Sequence, residues 1–363
     1  MFNKFIGTAA ALFAAVLLTF PCAATSVSAQ SAIVMDADTG AVLYEKDADA
    51  RSLIASTTKI MTALVALEHC AMEQQVEIPP QATGIEGSSI YLKPGESLQV
   101  QTLLYGLMLH SGNDAAIALA LLCAGSVEEF AALMNLKAQQ LGMKHSHFVN
   151  PNGLDDEAHY STARELAVLT RAALQNPDFA KIVATKQITL EGRTFTNHNR
   201  LLWCVKGALG VKTGFTKASG RILVSACERE GRRLIAVTIR DGNDWKDHTA
   251  LYDEYFSKYI PQQVFLAGDV VCTVPMLDGG SVELLAAEPF SYTLAAGEQV
   301  SVRLCNPRLV FRNGSQNTPA GTVSLYLGEK QIGTLRVLWG KTVYDRTITE
   351  DTLGVCRCLA PCG

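Results

Sequence analysis

A chain of 363 residues with 48% hydrophobic and 18% charged residues carries enough apolar material for two or three domains, which excludes intrinsic disorder and a small disulfide scaffold. The formal charge is −4, with 31 Lys and Arg against 35 Asp and Glu and no dense basic run. That excludes the electrostatic footprint of a nucleic-acid binder.

Lys4 precedes an uncharged run from Ile6 to Phe20. The run is shorter than the roughly 20 apolar residues of a membrane span and suits the core of a signal peptide, with Val27-Ser28-Ala29 as the small-residue cleavage site. Residues 1–29 therefore read as a removed export signal. The remainder is expected outside the cytoplasm, at the cell wall or the outer face of the cytoplasmic membrane. Loss of Cys22 with the signal leaves an odd number of cysteines. Cys70, Cys123 and Cys227 sit in apolar surroundings and read as small buried hydrophobes.

Ala32 to Met35 and Ala41 to Tyr44 flank a turn-rich Asp36 to Gly40, the pattern of a β-hairpin. A helix-rich stretch follows from about Ser56 to Gln175. Capping boxes start at Ser126 with Glu129 and at Thr162 with Glu165; Gly142 ends the first helix and Pro177 follows the second. Strands return at Gly210 to Thr216, Arg221 to Cys227 and Leu234 to Ile239, the simplest reading being an antiparallel meander. Asp247 to Tyr259 offers one more amphipathic helix, stopped by Pro261. From Val264 onward the period is two rather than helical, as in Val323, Leu325 and Leu327. The expected organisation is a main domain over 30–260, a small β domain over 265–350, and a Cys-rich tail over 351–363.

Three motifs carry chemistry: Ser56-Thr57-Thr58-Lys59 opening a helix, Ser111-Gly112-Asn113 before another, and Lys212-Thr213-Gly214 in a strand. Residues three apart share a helix face, so the Ser56 hydroxyl and the Lys59 amine fall within hydrogen-bond reach. Lysine at its ordinary pKa of about 10.4 is no base; lowering it to about 7.4 costs roughly 4 kcal/mol, which burial and a second cation supply. Lys212 is the expected second cation. A serine at a helix N-terminus also presents its backbone N–H to developing negative charge, and the N–H of Phe215, after Gly214, is the expected partner in an oxyanion hole.

Taken in order, the trio is the signature of serine β-lactamases and penicillin-binding proteins. Leu53 to Phe256 resembles the transpeptidase-type domain of low-molecular-mass penicillin-binding proteins, the D-alanyl-D-alanine carboxypeptidases. The likeness includes Gly87 to Leu92, Leu109 to Ala115, Asn150-Pro151-Asn152-Gly153-Leu154, Asn199 to Trp203 and Gly210 to Thr216. It implies an α+β fold, a five-stranded antiparallel sheet with helices holding Ser56, followed by a C-terminal accessory β domain. The implied substrates are peptidoglycan stem peptides ending in D-Ala-D-Ala, and β-lactam antibiotics are the implied covalent inhibitors; no cofactor and no metal is involved. Ser56 is then the nucleophile and Lys59 its base. Ser111 and Lys212 relay a proton to the leaving amine, Asn113 holds the substrate amide, and Thr213 with Lys212 meets the terminal carboxylate.

Some relatives place an arginine where this chain has His198, which leaves Arg200 as the expected second carboxylate ligand. Thr347 to Gly363 is short, mixed and Cys-rich, so no membrane anchor is visible there. Cys356, Cys358 and Cys362 lack the His or second Cys pair of a metal site. His145 and His147 read as polar surface, and His110 stands adjacent to Ser111 rather than across a site from it.

Two other readings share these motifs. A β-lactamase needs a glutamate to activate the deacylating water, usually in a Glu-x-x-Leu-Asn context, and Glu165 is followed instead by Leu166-Ala167-Val168-Leu169. A non-catalytic penicilloyl or peptidoglycan-binding sensor is separated from an enzyme by turnover.

Overall fold

The structure is a computed structural model describing residues 26–276, 280–304 and 315–343. Most of the expected signal, Cys22 included, and the Cys356, Cys358 and Cys362 tail lie outside the described residues.

The expected hairpin forms as β1 (Ser31–Asp36) and β2 (Val42–Lys46). Asp36 Oδ1 builds its turn by accepting from the backbone N–H groups of Asp38 and Thr39. A 3-10 turn, Ala55–Thr58, leads into α1 (Lys59–His69). A short ribbon of β3 (Gln75–Glu77) and β4 (Ser97–Gln99) precedes α2 (Val100–Leu109), α3 (Asn113–Ala124) and α4 (Val127–Gln140). Then come α5 (Ala163–Ala173) and α6 (Pro177–Ala184).

Both capping boxes are made on the serine and threonine side: Ser126 Oγ accepts from Glu129 N and Thr162 Oγ1 from Glu165 N, each at 3.1 Å. Pro177 does more than follow α5. It opens α6, where a missing N–H costs nothing and the Asn176 side chain caps the first turn.

A second ribbon, β5 (Gln187–Leu190) with β6 (Arg193–Thr196), and the single-turn α7 (Leu201–Cys204) lead to β7 (Ala208–Thr216), β8 (Gly220–Arg229) and β9 (Arg232–Ile239). These join the hairpin in one antiparallel sheet of order β2-β1-β9-β8-β7, which leaves β7 at an edge. The period of two sorts the side chains onto two faces. Ile33, Met35, Ile222, Val224, Ile235 and Val237 join the core of the helices α1 to α6. Ala32, Val34, Leu223, Cys227, Leu234 and Ala236 pack instead with Leu251, Tyr252 and Tyr255 of α8 (Asp244–Lys258). Burial on both faces explains why these strands read as nearly continuous apolar runs.

Helix α8 starts three residues before the expected position, and the chain turns directly into β10 (Tyr259–Phe265), which contains Pro261. After it come β11 (Val270–Pro275), β12 (Ser281–Ala286), β13 (Phe290–Ala295), β14 (Val300–Leu304), β15 (Pro319–Leu327) and β16 (Lys330–Val343). They form a β10-β13 ribbon and a sheet of order β11-β12-β16-β15-β14 with its own apolar core. Tyr292 and Leu294 of β13 belong to the buried cluster under α8, and Thr293 Oγ1 donates to Asp36 Oδ2 at 2.7 Å.

One expectation conflicts with the packing. Cleavage after Ala29 deletes Val27 and Ala29, both buried in the cluster under α8. It also deletes Ser28, whose backbone N–H donates to Asp247 at 2.6 Å and whose hydroxyl donates to Asp241 at 2.5 Å. Among the described residues no single helix is long and apolar enough to cross a membrane.

The α8 interface contains a buried polar knot. His248 Nδ1 lies 2.6 Å from Ser225 Oγ and its Nε2 lies 2.9 Å from Thr238 Oγ1, and burial lowers its pKa from 6.5 to about 3. A depressed histidine pKa means the unfolded chain binds the proton first as pH falls, so stability is lost from about pH 6.5 down towards pH 3 and is fully present above. Thermal unfolding across that window should show Tm falling with pH in the native chain. In His248→Gln the curve should start lower and fall less steeply.

Candidate active site

The 3-10 turn places Ser56 one turn ahead of Lys59, the first residue of α1. Lys59 has no exposed surface. Its Nζ has three hydrogen-bond contacts: Asn152 O at 2.6 Å, Asn113 Oδ1 at 2.7 Å and Ser56 Oγ at 3.1 Å. Two of these partners are carbonyl oxygens that only accept. An uncharged amine has two N–H donors and one lone pair. With both donors given to Asn152 and Asn113, the lone pair is left for the Ser56 hydroxyl proton. The pKa of Lys59 lies well below the usual lysine range, first because burial strips its water and then because Lys212 sets a second positive charge nearby; Asp114 opposes the shift.

Lys212 lies on the edge strand β7 and is 1% exposed. Its Nζ donates to Thr213 O at 2.9 Å, and burial lowers its pKa from 10.5 to about 7. The strand meets the nucleophile turn at Gly214, where an added Cβ would lie 3.2 Å from Ile54 O and 3.3 Å from Thr57 N. Gly153, at φ +84°, approaches the same turn so closely that a Cβ would lie 1.9 Å from Ala55 O. The same loop is fixed to α1 by Thr62 Oγ1, which donates to Pro151 O at 2.6 Å.

A cleft of about 620 Å³ opens between this turn and β7, lined in part by Ser56, Ser111, Thr213, Gly214, Phe215 and Arg200. Ser111 is held at φ +63°, a left-handed conformation unusual for serine, and its buried Oγ has no hydrogen-bond partner. Phe215 is 64% exposed at the rim. Asn113 Oδ1 accepts from Lys59 and its Nδ2 donates to Glu86 O at 2.5 Å, so the amide is engaged at both ends.

Sequence reasoning missed the far wall, made by Arg221, Asp244 and Trp245. Antiparallel pairing sets Arg221 opposite Phe215 and Leu223 opposite Thr213, so Arg221 shares a sheet face with Thr213. Arg221 Nε and Nη2 bond Asp244, the shortest contact 2.7 Å, and the guanidinium lies 5.8 Å from the Trp245 ring. No short-range motif signals this, because the partners are 23 residues apart.

His198 also lines the cleft. Burial and the nearby charges of Lys212 and His110 lower its pKa. The His110 ring lies 5.1 Å from it, tilted by 50°, and His110 is not among the residues lining the cleft. His147 Nδ1 is 2.7 Å from Ala158 O, and His145 donates its backbone N–H to Glu165. Cys70 and Cys123, read as separate core fillers, face each other with sulfurs 3.2 Å apart.

Comparison with known proteins places the chain in a family. The sequence profile of the D-alanyl-D-alanine carboxypeptidase family matches residues 19–243. The D-alanyl-D-alanine carboxypeptidase DacF of Bacillus subtilis is 34% identical over 288 residues, covering 75% of this chain and 74% of that one. DacB2 of Mycobacterium tuberculosis is 37% identical over 241 residues, 63% of this chain and 82% of its own length. Penicillin-binding protein 5 of Haemophilus influenzae superposes with a TM-score of 0.73 at 29% identity, over 88% of this chain and 98% of that structure. With more than half of the chain under the family profile, the protein belongs to the D-alanyl-D-alanine carboxypeptidases.

Proposed function

We propose that the chain is a serine-type carboxypeptidase that removes the terminal D-alanine from peptidoglycan stem peptides and is acylated by β-lactams. The observation that carries this reading is the buried Lys59 amine, held by two carbonyl oxygens with its nitrogen 3.1 Å from Ser56 Oγ. Ser56 Oγ attacks the carbonyl carbon of the last peptide bond while its proton passes to Lys59. The backbone N–H groups of Ser56 and Phe215 take the oxyanion. Ser111, unpartnered beside the nucleophile, and Lys212 return a proton to the leaving amine. D-alanine departs, water hydrolyses the serine ester, and Ser56 is regenerated.

Asn113 serves first to orient Lys59, given its hydrogen bond to that amine. Thr213 and Lys212 meet the substrate carboxylate. Arg221, sharing a sheet face with Thr213 and held by Asp244, is better placed than Arg200 to be the second cation. Asp244 is the one carboxylate among the described residues that line the cleft, and Arg221 holds it. Glu165 is committed to His145 N and Ser146 Oγ. No residue there suits the water-activating glutamate of a β-lactamase.

Peptidoglycan lies outside the cytoplasmic membrane, so the reading includes export, with the signal cleaved upstream of Val27 so that Ser28 keeps its hydrogen bonds. Residues 265–350 act as a spacer or docking unit, since the three motifs lie upstream.

Labelled penicillin should acylate the native chain at Ser56, with D-alanine released from a stem pentapeptide. Ser56→Ala should lose both activities, and label mapping to another residue would refute the assignment. The pH profile follows from the two lysines. Acylation should rise with pH as Lys59 loses its proton, then fall as pH passes about 7 and Lys212 loses the charge that holds the carboxylate. Lys212→Met should be slower and lack the alkaline fall.

Arg221→Ala should raise KM for the pentapeptide about 10-fold or more, the worth of a hydrogen bond to a charged group, with a smaller change in Arg200→Ala. The reverse order in steady-state kinetics would restore Arg200 as the carboxylate ligand. N-terminal mass analysis of the exported chain should retain Val27 to Ala29. A chain ending near Tyr259 should still release D-alanine but melt lower than the full chain, because it lacks Thr293, Tyr292 and Leu294.

A further inference from the structure

Two helices carry the base and its partner, and they are matched in length. Lys59 is the first residue of α1 and Cys70 caps its end; Asn113 is the first residue of α3 and Cys123 lies in its last turn. Lys59 bonds Asn113 at one end of the pair, at 2.7 Å. At the other end Cys70 Sγ and Cys123 Sγ are 3.2 Å apart, across 53 residues of sequence. The helices therefore run side by side in the same direction, in contact at both ends.

We propose that Cys70 and Cys123 are a redox site, oxidised to a disulfide that clamps the far end of the α1–α3 pair. A disulfide has its sulfurs about 2.05 Å apart, and the gap here is 3.2 Å, so the two sulfurs already face each other in contact. Both side chains are half-buried, so they are shielded from most of the solvent but not sealed from a small oxidant. The hydrogen bond between them stabilises the thiolate of Cys70 and holds the proton on Cys123. Cys70 is thus the attacking sulfur.

The oxidant is a disulfide of the glutathione or thiol-oxidoreductase class. Cys70 thiolate attacks one of its sulfurs, the oxidant's S–S bond breaks, and one oxidant thiol leaves. Cys123, deprotonated in turn, attacks the Cys70 sulfur of the mixed disulfide and expels the second thiol. Two protein thiols become one disulfide, the oxidant is reduced to two thiols, and the two protons end on those thiols. Physiological formation rests on the proposed export, because such bonds persist in oxidising compartments; the chemistry itself can be tested on the purified chain.

The test is to treat the full chain with oxidised glutathione, block the remaining thiols by alkylation, and map peptides without reduction. Expected is a Cys70 peptide linked to a Cys123 peptide, with the exposed Cys204 alkylated. Closing a loop of this size should raise Tm by about 5–15 °C over the reduced chain. Cys70→Ser and Cys123→Ser should each abolish that rise, and Cys204→Ser should keep it. Finding both Cys70 and Cys123 alkylated after oxidation, or a bridge that uses Cys204 in place of either, overturns the proposal. Because peptide mapping does not depend on activity, a bridge formed in a chain that penicillin fails to label counts against the proposed function and not against the redox site.

Discussion

Lys59 has its nitrogen at the end of a side chain with no exposed surface, among two carbonyl oxygens and a hydroxyl, with a second buried lysine close enough to repel it. Removing an ammonium from water costs several kcal/mol even after the protein relaxes. A lysine has a way out that an arginine lacks: it gives up the proton. The burial that makes the charged form costly is therefore what turns the side chain into a base. Lys212 is buried almost as completely and adds to the pressure on Lys59.

Such an arrangement survives only if the surrounding backbone comes close enough to shut out water. Gly153 and Gly214 both approach the nucleophile turn, at positions where a methyl group would collide with or crowd main-chain atoms. Thr62 fixes the first of these loops to α1, and the pairing of β7 with β8 fixes the second. The reactive turn is clamped between a loop and a strand edge rather than built from one element. That is why its residues come from segments more than 150 positions apart.

Local signals were legible in the sequence wherever the deciding physics is local. The Asp36 turn, the caps at Ser126 and Thr162, and the i, i+3 relation of Ser56 to Lys59 all depend on neighbours within a few residues. The pairing of Lys59 with the Asn152 carbonyl depends on a main-chain atom 93 residues away, which no side-chain motif encodes. The Arg221–Asp244 wall and the Cys70–Cys123 contact were missed for the same reason. In the sequence Pro177 is legible as the proline that follows α5, and its missing N–H also makes it a good helix start. Signal-peptide rules read small residues and carry no information on what the folded chain bonds; Ser28 is small and also a hydrogen-bond donor to two carboxylates.

Asp36 divides its two carboxylate oxygens between tasks. Oδ1 shapes the turn of the β1–β2 hairpin, and Oδ2 receives the hydroxyl of Thr293 from the ribbon that precedes the second sheet. The hairpin lies at the opposite edge of the five-stranded sheet from β7. That contact is separated from β7 by two strands, β9 and β8, whereas the main chain runs without a break from α8, whose first residues Asp244 and Trp245 line the cleft, into β10. The C-terminal part is thus joined to the catalytic domain at two places, one at the hairpin margin and one through the helix that begins at the cleft wall.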